Sequence, residues 1–212
     1  MTRFYDVRSE YRYDPTDTAE KLFRGKVVQR DPKRIVNLCL HQTAVTFGVS
    51  ASQIKAAGGD AQLAQFMRAK RVNAHCTVFD EGAAVLAYPL RNYVQHGNGA
   101  NATSIGIEIE GLYNGLPGGE RPEPTEVTIQ TARDACSWIV SEAAKEGIAI
   151  LGVVAHRQYS GDRRADPGWA IWQRIAIEHC EHVLGLSPMP TLTDRKGRPI
   201  PREWDARQSA AY

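Results

Sequence analysis

None of the four cysteines, Cys39, Cys76, Cys136 and Cys180, stands in a CxxC pair, which excludes a zinc ribbon and a thioredoxin-type redox motif. The start of the chain, Met1 to Arg8, lacks the apolar run of a signal peptide, and no stretch is apolar enough for long enough to span a membrane. These absences point to a reducing cytoplasm in which the cysteines are thiols, with release by lysis or a signal-free route left open. An excess of one charge is missing too. Lys and Arg total 26 against 24 Asp and Glu, a formal net charge of +2, so a polyelectrolyte partner is not the theme. No basic stripe marks nucleic-acid binding, because the basic residues between Lys21 and Arg34 are interleaved with Asp31 and apolar side chains. Internal repeats and low-complexity tracts are absent as well.

What is present is ordinary soluble composition, 42% hydrophobic and 24% charged, in a length of 212 residues that suits one domain with a full core. Residues 1–33 are polar with little periodicity and read as an N-terminal arm. Residues 34–186 carry the periodic pattern of a folded domain, and 187–212, rich in Pro and charge, read as a tail. Arg34 to His41 reads as a buried strand, with Asn37, Cys39 and His41 on one face and Val36, Leu38 and Leu40 on the other. Ala61 to Lys70 reads as a helix. Asn73–Phe79 and Ala83–Tyr88 flank an Asp80-Glu81-Gly82 turn as a hairpin. Ser104 to Glu110 alternates cleanly, with Ile105, Ile107 and Ile109 facing one way and Gly106, Glu108 and Glu110 the other. Thr125 caps a helix to about Glu146, Leu151 to Ala155 is a strand, and a last helix runs from about Trp169 to Leu184. Interleaved strands and helices predict an α/β fold, a central mixed β-sheet flanked by helices in a single domain.

His156 ends an apolar strand, and ten residues later Asp166 precedes Pro167 and Gly168 at a helix start. A catalytic zinc site usually has three protein ligands and an open position, so this segment offers two and calls for a third. His41, at the end of another strand, is the candidate. A lone histidine is more often structural than ligating. Two strand-end histidines, a strand carboxylate at Glu108 and a loop aspartate together are the parts of a hydrolytic zinc centre. Glu108 alone reads equally as an inward carboxylate paired with a base. His179 and His182 lack a ligand context and read as a solvated helix face, and Trp169 and Trp172 as packing residues.

Five pieces occur in a telling order: Cys39-Leu-His41-Gln-Thr-Ala, Asn73-Ala-His-Cys-Thr-Val, Gln95-His-Gly, Ser104-Ile-Gly-Ile-Glu-Ile-Glu-Gly111, and Ala155-His-Arg followed by Arg164-Ala-Asp-Pro-Gly168. The set resembles the zinc-dependent type 2 N-acetylmuramoyl-L-alanine amidases, which include phage lysozyme-amidases, anhydromuropeptide amidases and peptidoglycan recognition proteins. The resemblance implies one Zn2+ held by His41, His156 and Asp166, with Glu108 as general base. It implies an oxyanion-stabilising cation at Arg164, where relatives often carry Lys, and substrate-binding roles for His75 and His96. The partner it implies is peptidoglycan or a soluble muropeptide. Ala74 stands where phage enzymes place a catalytic tyrosine, so a tyrosine-assisted variant is not expected. Two other readings stay open: a non-catalytic peptidoglycan-binding module, and a zinc peptidase of other specificity.

Overall fold

A computed structural model describes residues 1–10, 20, 22–23, 26–43, 51–113, 123–159, 166–188, 191–193 and 199–201. In chain order they form β1 (Arg3–Asp6), a ribbon of β2 (Leu22–Phe23) and β3 (Lys26–Val27), β4 (Asn37–Gln42), α1 (Ala51–Ala56) and α2 (Ala61–Ala69). There follow β5 (Cys76–Phe79), β6 (Ala83–Leu86), β7 (Ser104–Ile109), α3 (Glu126–Lys145) and β8 (Gly152–Ala155). Helix α4 (Trp169–Ile171) continues as a π-helical stretch, Trp172–Glu181, before β9 (Ser187–Pro188) and a second ribbon, β10 (Thr191–Thr193) with β11 (Pro199–Pro201).

The sheet runs β1-β6-β5-β7-β4-β8-β9 among the described residues. Strands β5, β7, β4, β8 and β9 are mutually parallel, and the β5–β6 hairpin turns antiparallel across Gly82, whose φ of 90° suits a residue without a Cβ. This is the expected mixed sheet. Alternation sorts its faces. Leu38, Leu40, Ile105, Ile107, Ile109, Val153 and Ala155 pack beneath α3 and the π-helical stretch, where Ile139, Trp172 and Ile175 complete the core. Each fully buried isoleucine contributes roughly 1.5–3 kcal/mol relative to exposure. Val85, Phe79, Ala69 and Tyr88 form a second cluster on the opposite face with Phe66 of α2 packed against it.

Helix α3 begins where its cap predicts, the Thr125 hydroxyl accepting from Thr128 N at 3.1 Å. It ends into Gly147, φ 71°, with Ile148 N bonding back to Ala143 O at 2.9 Å. Strand β4 starts three residues later than the apolar run suggests, because Asp31 accepts from Lys33 N and winds Pro32–Arg34 into a 3-10 turn. The segment before residue 34 contributes β1, which pairs in parallel with β6 at the sheet edge. Its residues are largely exposed, so no alternation of apolar positions announces it. Strand β9 extends the other edge beyond β8.

Arg8 ties that first segment to the end of α3, contacting Asp6 at 2.7 Å, Glu142 at 2.7 Å and Glu146 at 2.5 Å. The Arg8 hydrogen bond holds the Asp6 carboxyl below its ordinary value. A depressed carboxyl stabilises the fold above its unfolded pKa of about 4, and that stability is lost as acidification carries pH down through the folded value. Thermal unfolding followed between about pH 5 and about pH 2 should therefore show a steeper acid loss in the wild type than in Arg8→Met.

Candidate metal centre

Register builds the site. On β4 and β7, His41 pairs with Glu108, and Leu40 pairs with Ala155 at the end of β8, so His156 follows beside His41. Thr77 of β5 pairs with Glu108 from the other side. Thr77, Glu108, His41 and His156 thus form one row across neighbouring parallel strands, and the last three stand at the strands' carboxyl ends, where open α/β sheets place their ligands. All four stand on the face opposite the isoleucines, which is why polar residues interrupt otherwise apolar strands.

Asp166 arrives from outside the sheet, and the Asp166–Pro167 peptide is cis. Its Oδ1 accepts from Gln42 N at 2.8 Å and its carbonyl accepts from Arg157 N at 3.1 Å, which pins the carboxylate between the ends of β4 and β8. Gln42 also accepts from Tyr113 N at 2.5 Å, and Gly168, φ 97°, packs so closely on Tyr113 that a Cβ would collide with the tyrosine carbonyl oxygen.

Three donor atoms converge as a result. His41 Nδ1 and His156 Nδ1 are 3.0 Å apart, Asp166 Oδ2 is 2.8 Å from His156 Nδ1, and it is 3.7 Å from His41 Nδ1. A tetrahedral zinc ion with ligands about 2.0–2.1 Å away has edges of about 3.3 Å, within the span of this triangle's sides. One shared proton satisfies one edge, whereas a divalent cation satisfies all three. Two imidazoles and one carboxylate are also a donor set suited to zinc. Glu108 Oε1 lies 3.8 Å from His41 Nδ1, beside the triangle. Burial pushes the Asp166 carboxyl upward, but the hydrogen bond from His156 and the facing His41 ring outweigh it and keep the group well below the usual carboxylate range.

A second group, Cys39, His41 and His96, lies behind the first and shares His41. Its members are buried, and burial, followed by the charges of Asp166 and Glu108, pushes the Cys39 thiol well above its ordinary value. The Cys39 side chain packs against Ala100 and Val154. Of the two groups, the first includes a carboxylate whose charge can offset that of a cation.

His75 and His96, expected at the substrate, lie inside the molecule, 0% and 5% exposed. His75 Nδ1 accepts from Gly106 N at 3.1 Å, and its Nε2 is 3.1 Å from Asn92 O and 2.8 Å from Arg30 Nη2. His96 Nδ1 is 3.0 Å from His41 Nε2. Both rings are engaged by the protein itself. Arg164 falls outside the described residues. Glu110 stands apart from the donors, its carboxylate accepting from Asp80 N at 3.1 Å. His179 is 2.9 Å from Ser137 Oγ and His182 is exposed, while Trp172 is in the core. Thr77 was not anticipated: its buried hydroxyl has no hydrogen-bond partner among the described residues and it faces Glu108 across the ladder. Register against Glu108 is the signal, and a single strand read alone does not contain it.

The model of the family described as N-acetylmuramoyl-L-alanine amidase matches residues 31–169. The chain belongs to that family. No curated protein sequence matches it. Among solved structures it is similar to the N-acetylmuramoyl-L-alanine amidase LysC from Clostridium intestinale, at 15% identity and a TM-score of 0.51, covering 88% of this chain and 100% of that one. It is similar to bumblebee PGRP-SA, at 16% identity and a TM-score of 0.54, covering 90% and 100%. It is also similar to peptidoglycan recognition protein-LE in complex with tracheal cytotoxin, a monomeric diaminopimelic acid-type peptidoglycan, at 12% identity and a TM-score of 0.53, covering 85% and 94%. At these identities the likeness is one of fold.

The Asp166-Pro167-Gly168 corner of this amidase-family chain should be intolerant of a Cβ. Gly168→Ala should cost about 1–3 kcal/mol from backbone strain, with the collision against Tyr113 added. Gly147→Ala has open space around its Cβ and should lose only the strain. Urea unfolding of the two variants checks the order.

Proposed function

We propose that this chain is a zinc-dependent amidase that hydrolyses the amide between the lactyl group of N-acetylmuramic acid and the L-alanine of the stem peptide, in peptidoglycan or in soluble muropeptides. The observation that carries the reading is the triangle of His41 Nδ1, His156 Nδ1 and Asp166 Oδ2 with the Glu108 carboxylate beside it. Family membership supports the reaction class, and the fold shared with LysC and with a recognition protein solved on a monomeric peptidoglycan supports the substrate class.

His41, His156 and Asp166 would hold the zinc ion. When bound, zinc supplies Lewis acidity to the scissile carbonyl and brings the pKa of a water to about 7. Glu108 would serve as the base that holds a proton from the attacking water and passes it to the leaving amide nitrogen, a task for a carboxylate that need hold the proton only transiently. Its side chain is 15% exposed. Asp166 stays ionised because two imidazoles face it, and Gln42 N keeps one of its oxygens out of the exchange. Arg164, two residues before Asp166 in the sequence, is proposed as the cation that steadies the tetrahedral oxyanion.

Glu108→Gln should retain zinc and lose turnover by about 10²–10⁴-fold, the usual worth of a general base. Mass spectrometry of digested muropeptides, beside a measurement of bound metal, reads both. Near-wild-type turnover in that variant removes Glu108 from its role. Treatment of the wild type with a strong chelator should abolish release of intact stem peptide, and added zinc should restore it. Binding of muropeptide with no product from the loaded protein marks a recognition module instead, and a shortened peptide marks a peptidase.

A further inference from the structure

We infer that His96 is a positioning residue that fixes the tautomer and orientation of His41 and thereby sets the strength of the metal centre. The inference rests on the zinc centre proposed above. His41 uses both ring nitrogens: Nδ1 faces the donor triangle, and Nε2 lies 3.0 Å from His96 Nδ1. On its far side, His96 Nε2 lies 3.3 Å from the Ser104 carbonyl oxygen, which can only accept. His96 therefore carries its proton on Nε2. A neutral ring then leaves His96 Nδ1 as an acceptor, so the His41 proton must sit on Nε2 and the His41 Nδ1 lone pair must point into the triangle. A backbone carbonyl, which has no alternative state, thus dictates through two imidazoles which nitrogen a cation meets.

The surroundings keep this relay neutral and in place. His96 is 5% exposed, with His75 at a ring-centroid distance of 5.5 Å and the buried Arg30 guanidinium behind His75. Arg30 is itself held by Asn101 O at 2.8 Å, Ser104 O at 2.5 Å and Leu90 O at 2.5 Å. A second charge there would be repelled by that guanidinium and poorly solvated. Gly97, the next residue, is braced by its N–H donating to Asn101 Oδ1 at 2.5 Å. Room for the ring comes from Gly106, where a Cβ would stand 2.5 Å from His96 Cγ and 2.7 Å from its Nδ1. The glycine of Ser104-Ile-Gly-Ile-Glu108 is therefore a space for His96, not a break in the strand.

Metal-ligating histidines whose outer partner is removed typically lose 10–100-fold in metal affinity. His96→Leu should weaken zinc binding, measured by chelator competition, by about that factor. His96→Asn, whose Oδ1 can stand where Nδ1 stood, should recover most of the loss. Gly106→Ala keeps His96 but displaces its ring, and should weaken binding as well. Long-range 1H–15N NMR on the metal-free wild type needs no variant and should find His41 protonated on Nε2. A His41 protonated on Nδ1, or undiminished affinity in folded His96→Leu, overturns the inference and leaves the zinc centre standing. A wild type that binds no zinc overturns both. A thiolate-to-metal band in the cobalt-loaded wild type that vanishes in Cys39→Ser places the ion on Cys39, His41 and His96, and overturns the inference too.

Discussion

The parallel ladder of β4 with β7 on one side and β8 on the other holds the candidate centre together. Pairing His41 with Glu108, and Leu40 with Ala155, brings residues from three distant parts of the chain into one row. A slip of one residue in either pairing would turn a donor into the apolar layer and an apolar residue onto the face of the site. The same apolar alternation that buries Ile105, Ile107 and Ile109 under α3 therefore aims Glu108 at the site. Core packing and site geometry are two consequences of one register.

Placing so many polar groups on a sheet face has a cost, because buried imidazole and guanidinium groups lose their hydration. The structure offsets it with main-chain partners: Gly106 N and Asn92 O for His75, Ser104 O for His96, and three carbonyls for Arg30. The layer behind the centre is thus a set of side chains clamped by backbone, which is what a metal site needs to keep its donors from relaxing. Glycines at 106 and 168 belong to the same economy of space. One lets a ring lie on a strand, and the other lets the Asp-Pro-Gly corner press against Tyr113.

Much of this was legible in the chain read as letters. The Thr125 cap, the isoleucine alternation of β7, the Gly82 turn and the strand-end position of His41 and His156 are local patterns with local physical causes, and the fold class follows from them. Strand β1 was not legible, since an exposed polar edge strand pairs through its backbone and leaves no apolar period. The places of His75 and His96 were not legible either. Their residue types suit a cleft as well as an interior, and only the approach of Gly106, Ser104 O and Arg30 decides for the interior.

What the sequence by itself determined, then, is the inventory: which strands are buried, which of their positions carry a donor or a carboxylate, and that five pieces resembling the family's motifs stand in its order. Only the tertiary structure decided which donors meet. Asp166 reaches His41 across 125 residues of chain because Gln42 N and Arg157 N hold it there, and His41 presents Nδ1 because His96 and a backbone carbonyl occupy its other side. Periodicity reports the face a side chain takes along its own strand. It carries no information on which nitrogen of a ring faces the site, since that depends on neighbours contributed by other strands and loops.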